Sequence, residues 1–197
     1  MNKIYNQGLG RESWADNACI GCSIANLNER KTGKAIPLQS IFDWYDKVGL
    51  AYDSTKFKPD GGGSNNVPTA EKVLARMKLT PMNGIEVSDS RLVWSSKGKL
   101  AQPPLLVLWD QLKEGYFVFV VKSGFKLTPE CDIIPVQGLK KSLHAMALIE
   151  PLENGRGKKF FRLENSKGRD WGVGGCCYLN LLDLPEEVVE IWEVKFA

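Results

Sequence analysis

The sequence predicts an α+β protein, with a helical first half, a β-rich second half and a groove at the seam between them. Two observations carry that prediction. Up to about residue 80, apolar residues recur at helical spacing between Gly-, Asn- and Pro-rich connections. From about residue 90 they gather in short runs of aromatic, β-branched and leucine residues bounded by turn signals.

The elements follow in order. Residues 13–29 (SWADNACIGCSIANLNE) read as a helix, with Ser13 as N-cap and Asp16 placed three residues on to complete a capping box. Its apolar stripe is Trp14, Ala18, Cys22 and Ala25, widened by Ala15 and Cys19. Most of those side chains are small, so another element must pack closely against this central helix. Residues 37–48 (PLQSIFDWYDKV) open on Pro37 and form a second helix. A loop containing Pro59 to Asn66 follows, and residues 68–78 (PTAEKVLARMK) form a third helix with Val73, Leu74 and Met77 inward. RLVW, PLLVLW, GYFVFVVKSGF, HAMALIE, KKFFRLEN, GGCCYLNL and EIWEVKFA then read as strands, with DQLKEG a helical turn. So many strands in about a hundred residues suggest a strongly bent antiparallel sheet or barrel. The expected division is a helical subdomain over residues 1–100 and a β-barrel-like subdomain over 101–197, with the cleft between them.

Composition narrows the function classes. Of 197 residues, 43% are hydrophobic and 25% charged, ordinary values for a globular chain. The net charge of +3 gives no reason to invoke nucleic acid or membrane as a partner. No apolar run approaches the roughly 20 residues that span a bilayer, and MNKIYNQGLGRES is too polar for a signal peptide. The five cysteines are odd in number, two of them vicinal (Cys176 and Cys177), a usage that favours a reducing, cytoplasmic compartment. Cys19-x-x-Cys22 has no second Cys/His pair at finger spacing, so two small core residues on a helix is the better reading, and no metal or organic cofactor is implied.

Three passages remain: Gln7 to Ala15 (QGLGRESWA), Leu143-His144-Ala145 entering a strand, and Asn165 to Gly172 (NSKGRDWG), which ends another strand in a sharp turn. Each residue has an ordinary structural use. Ser13 caps a helix, His144 can be a satisfied core histidine, and Asn165, Gly168 and the glycines at 61–63 form turns. Those uses do not explain the ordered spacing.

Together the passages resemble the papain-like cysteine peptidases, whose Q-G-x-C-G-S-C-W-A segment carries an oxyanion glutamine and, six residues later, the nucleophilic cysteine. Gln7 stands six residues before Ser13, and Trp14 and Ala15 continue the match. His144 and Asn165 lie 131 and 152 residues after Ser13, close to the family's spacing. His144-Ala145 is similar to its H-A pair, and Asn165-Ser166-x-Gly168-x-x-Trp171-Gly172 to its N-S-W-G-x-x-W-G turn. Gly62-Gly63 resembles the paired glycines lining the family's substrate cleft.

The resemblance implies a papain-like fold and a catalytic set of residue 13, His144, Asn165 and Gln7. Gly62, Gly63, Trp14, Leu143 and Trp171 would be substrate-binding or sheltering residues, Leu143 suggesting an apolar specificity pocket. The physical chemistry agrees with those roles. A thiol at a helix N-terminus gains thiolate character, a histidine across the groove protonates the leaving amine, and a side-chain amide fixes the histidine's tautomer. Gln7 and the residue-13 N–H can hold an oxyanion. The reaction would be acyl transfer from a peptide or isopeptide bond to water through a thioester, on a peptide or protein substrate, with a propeptide or protein inhibitor as a further partner.

The chain departs from the pattern at its centre. Ser13 is far less acidic than a thiol, so no resting ion pair forms with His144, and the serine is read as a replacement that disarms the enzyme. A natural serine would make the chain a pseudopeptidase that binds peptides without chemistry, or a weak serine hydrolase. A related transpeptidase or deamidase is a third class. Gly10 replaces the family's preceding cysteine, and Lys167 replaces the tryptophan of N-S-W-G, altering one wall of the Asn–His shelter. The set of variants is more similar to prokaryotic or phage-type members than to lysosomal ones.

Overall fold

The computed structural model describes residues 18–50, 68–98, 101–122, 125–128, 133–135 and 143–197. Three helices come first: α1 (Cys19–Thr32), α2 (Leu38–Lys47) and α3 (Ala70–Leu79). The described part of α1 continues one turn beyond the predicted end, stopping where Gly33 adopts a left-handed φ of 71° and its N–H bonds the Glu29 carbonyl. Thr69 caps α3, its Oγ1 accepting from the Lys72 N–H at 3.3 Å. No helix among the described residues is long and apolar enough to cross a membrane.

Helices α1 and α2 approach closely at Gly21. A Cβ there would lie 2.7 Å from Tyr45 Cε2, and the Gly21 N–H donates to the Tyr45 hydroxyl at 3.1 Å. The small-residue stripe read from the sequence is thus a contact surface. Cys22 and Ala25 are buried in it, which gives Cys19 and Cys22 the core role expected of them.

The rest is a six-stranded antiparallel sheet in the order β1-β8-β2-β5-β6-β7. Its strands are β1 (Val87–Ser95), β2 (Phe117–Lys122), β5 (Leu143–Glu153), β6 (Lys159–Glu164), β7 (Cys176–Asn180) and β8 (Val188–Phe196). A small hairpin pairs β3 (Phe125–Leu127) with β4 (Ile133–Pro135). Both faces of the large sheet are covered. Val118, Val120, Ala145 and Ala147 face the three helices, while Phe117, Phe119, Val121, Met146 and Leu148 enter a second core. That second core is completed by α4 (Leu105–Gln111), a 3-10 turn (Leu181–Asp183) and the short α5 (Leu184–Glu187). Two-sided burial is why β2 reads FVFVV without a polar alternate.

Two expectations need correction. The sheet does not close: β1 and β7 are its edges, so it is strongly occupied on both faces but is not barrel-like in its hydrogen bonding. PLLVLW is also no strand but most of α4, with Leu108 and Trp109 inward and Leu106 and Val107 exposed.

Candidate functional site

β5 and β6 are neighbours in the sheet, and the site grows from their register. Ala147 lies opposite Glu164, the last residue of β6, so the next residue, Asn165, is set beside the part of β5 that carries His144. His144 Nε2 and Asn165 Oδ1 are 2.7 Å apart, and both side chains are buried. An amide oxygen only accepts, so Nε2 carries the ring proton and donates, and Nδ1 is the lone-pair nitrogen of the neutral ring. Nδ1 is then the ring atom able to take up or release a proton.

Asn165 is held from behind. Its N–H donates to the Gly175 carbonyl at 2.9 Å, closing the turn that joins β6 to β7. Inside that turn the Gly175 N–H donates to the Trp171 carbonyl at 2.8 Å, and Val173 and Cys176 exchange backbone bonds of 2.9 and 3.1 Å. Gly172 is required where the chain doubles back. Its φ is +61°, and a Cβ would sit 2.2 Å from the Cys176 carbonyl oxygen. Trp171 is half-buried against the second core, next to the turn that fixes Asn165. Ser166 is buried, Lys167 is exposed, and Leu143 is 50% exposed on the chain just before His144.

The residue before Asn165 is one that sequence reasoning missed. Glu164 lies on the α1-facing side of the sheet, paired across from Ala147, and only 7% of it is exposed. Burial pushes its carboxyl up from an ordinary 4.5 to about 6. Arg30 opposes the rise, Glu29 adds to it, and Arg162 and Arg169 oppose it. The signal was present in KFFRLE: Phe161 and Leu163 share one face, which leaves Arg162 and Glu164 facing α1.

Among the expected site residues, the structure brings His144 and Asn165 together and sets Leu143 and Trp171 nearby. Ser13, Gln7, Trp14, Gly62 and Gly63 lie outside the described residues. Cys22 of α1 offers no substitute nucleophile, because burial, aided by the Cys19 charge, pushes its fully buried thiol far above its ordinary range. Burial likewise raises the Cys176 thiol, with Arg162 opposing. Among the described residues no group of three or more His, Cys, Asp or Glu side chains could hold a metal ion.

No protein-family model and no curated protein matches the chain. Solved structures do. The chain is similar to the bromelain protease from Ananas comosus in complex with an inhibitor, with 14% identity, a TM-score of 0.51, and coverage of 99% of this chain and 94% of that one. A cysteine protease of Carica candamarcensis, also inhibitor-bound, gives 12% identity and a TM-score of 0.57 over 98% of this chain and 92% of that one. Digestive procathepsin L 3 of Tenebrio molitor gives 12% identity and a TM-score of 0.58 over 98% of this chain, which spans 66% of that longer protein. At such identities the likeness is one of fold: the chain has the papain-like α+β fold.

Proposed function

We propose that the chain is a papain-like peptidase in which His144 is the general acid–base, Asn165 orients it, and Ser13 occupies the nucleophile position. The observation that supports this reading best is the 2.7 Å contact between buried His144 Nε2 and Asn165 Oδ1. It leaves Nδ1 as the working nitrogen.

The path of α1 supports it further. Arg30 Nη2 donates to the Ile149 carbonyl at 3.1 Å, which ties the end of α1 to the middle of β5. α1 and β5 share the helix-side core through Ala18, Cys22, Ala145 and Ala147, and Ser13 precedes Ala18 by five residues.

In the cysteine form, the residue-13 thiolate attacks the carbonyl carbon of a peptide bond, with His144 as the imidazolium. Gln7 and the residue-13 N–H hold the oxyanion, the C–N bond breaks as the imidazolium gives its proton to the leaving nitrogen, and a thioester forms. Water, deprotonated at Nδ1, then releases the acid. Gly62, Gly63, Trp14 and Leu143 line the substrate's path in this reading, and Trp171 shelters the Asn165–His144 bond. With serine at 13 the attacking group stays protonated and the first step stalls, so this chain is disarmed.

A second reading, peptide binding without chemistry, is favoured by Ser13 itself, and acyl transfer to an amine or deamidation would use the same residues. Peptide hydrolysis by the Ser13→Cys variant, beside the Ser13 protein and with an electrophilic thiol probe located by mass spectrometry, separates them. Turnover and labelling at residue 13 are expected. Silence and no adduct in both forms would remove the catalytic reading, and product masses distinguish hydrolysis from transfer.

A further inference from the structure

Among the described residues, the turn that follows Asn165 exposes a cation. Lys167 follows Asn165 by two residues, and between them Ser166 is buried, so the chain turns Asn165 and Ser166 inward and Lys167 outward. The closed β6–β7 turn fixes that arrangement. Among the described residues Lys167 makes no hydrogen bond or ion pair. Two residues of extended chain span at most about 7 Å, so the Lys167 backbone lies within about 7 Å of that of Asn165, the partner of His144, and its long side chain starts from there. Asp170 is the one acid exposed in the same turn, against Lys167 and Arg169. The group that protonates a leaving amine must stand beside that amine, so the surface next to His144 and Asn165 meets the leaving-group side of the substrate.

We infer that Lys167 makes this site select peptides carrying a carboxylate side chain just beyond the scissile bond, on the leaving-group side. The inference rests on the peptidase reading above and adds the substrate class. An exposed ammonium–carboxylate contact amounts to a roughly two- to fivefold preference, and it weakens as salt rises.

The test is cleavage of a mixed peptide library by the Ser13→Cys variant, with every cut bond identified by mass spectrometry and scored for Glu against Gln at the first leaving-side position. The expected result is about two- to fivefold enrichment of Glu at low ionic strength, lost in the Lys167→Gln background and inverted in Lys167→Glu. The ratio is taken within each protein, so a general change in activity does not move it. Cleavage without Glu enrichment, or with an enrichment that Lys167→Gln leaves intact, overturns this inference and leaves the peptidase reading standing. No cleavage of any library member overturns the peptidase reading, and this inference falls with it.

Discussion

Replacing Glu164 by glutamine tests whether the strand leading into Asn165 carries a buried, strained charge. In the folded chain burial raises this carboxyl from 4.5 to about 6, despite the nearby guanidinium groups of Arg30, Arg162 and Arg169. An acid whose pKa is higher in the folded state binds its proton more tightly there. Its stabilising contribution is therefore complete below about pH 4.5 and is lost as pH rises through about 6. Above that window, ionised Glu164 costs about 2 kcal/mol, from ~1.4 kcal/mol per pH unit. Glutamine keeps the shape and removes the charge. The Glu164→Gln protein should match the parent near pH 4 and exceed it by about 2 kcal/mol at pH 7.5, or about 4–8 °C in Tm for a chain of this size. Urea unfolding of both proteins from pH 4 to 8 is the assay. A stability difference that stays flat across that range, or one in which glutamine is worse at pH 7.5, would refute the reasoning and mean that the arginines outweigh burial.

Two further substitutions probe the scaffold around the site. Gly172→Ala forces a Cβ to within 2.2 Å of the Cys176 carbonyl at a φ of +61°, and urea unfolding should show a loss of about 2–4 kcal/mol; an unchanged midpoint would mean that the turn relaxes freely. Tyr45→Phe removes the acceptor of the buried Gly21 N–H and should cost about 1–3 kcal/mol, read as a fall in Tm; a neutral result would show that water or a local shift takes over that N–H.

How much of this was legible before folding differs from residue to residue. His144 and Asn165 were singled out by resemblance to the family's motifs in their order and spacing, and the structure sets the two side chains 2.7 Å apart. The three helices were legible because their apolar stripes repeat over ten residues or more. The α4 segment was not. LLVLWDQ is too short for period 3.6 to stand out from a buried strand, and its propensities favour neither. Closure of the sheet was hidden as well, since it depends on whether β1 and β7 meet across space and no local pattern encodes that. Glu164 escaped because a glutamate at a strand end is ordinarily solvated, and only the packing of α1 on β5 turns it into a buried acid.

The pair's construction bears on how a change at residue 13 should be interpreted. The position of His144 is set by β5 pairing with β2 on one side and β6 on the other, with Val121 opposite His144 itself. The position of Asn165 is set by the end of β6, by its bond to Gly175 and by a turn that admits only glycine at 172. None of these constraints passes through residue 13. A Ser13→Cys substitution therefore changes the reactivity of residue 13 while the sheet continues to hold Nε2 against Oδ1. If the cysteine form then neither turns over nor takes an adduct, a displaced His144–Asn165 pair is not the cause, and the catalytic reading itself falls.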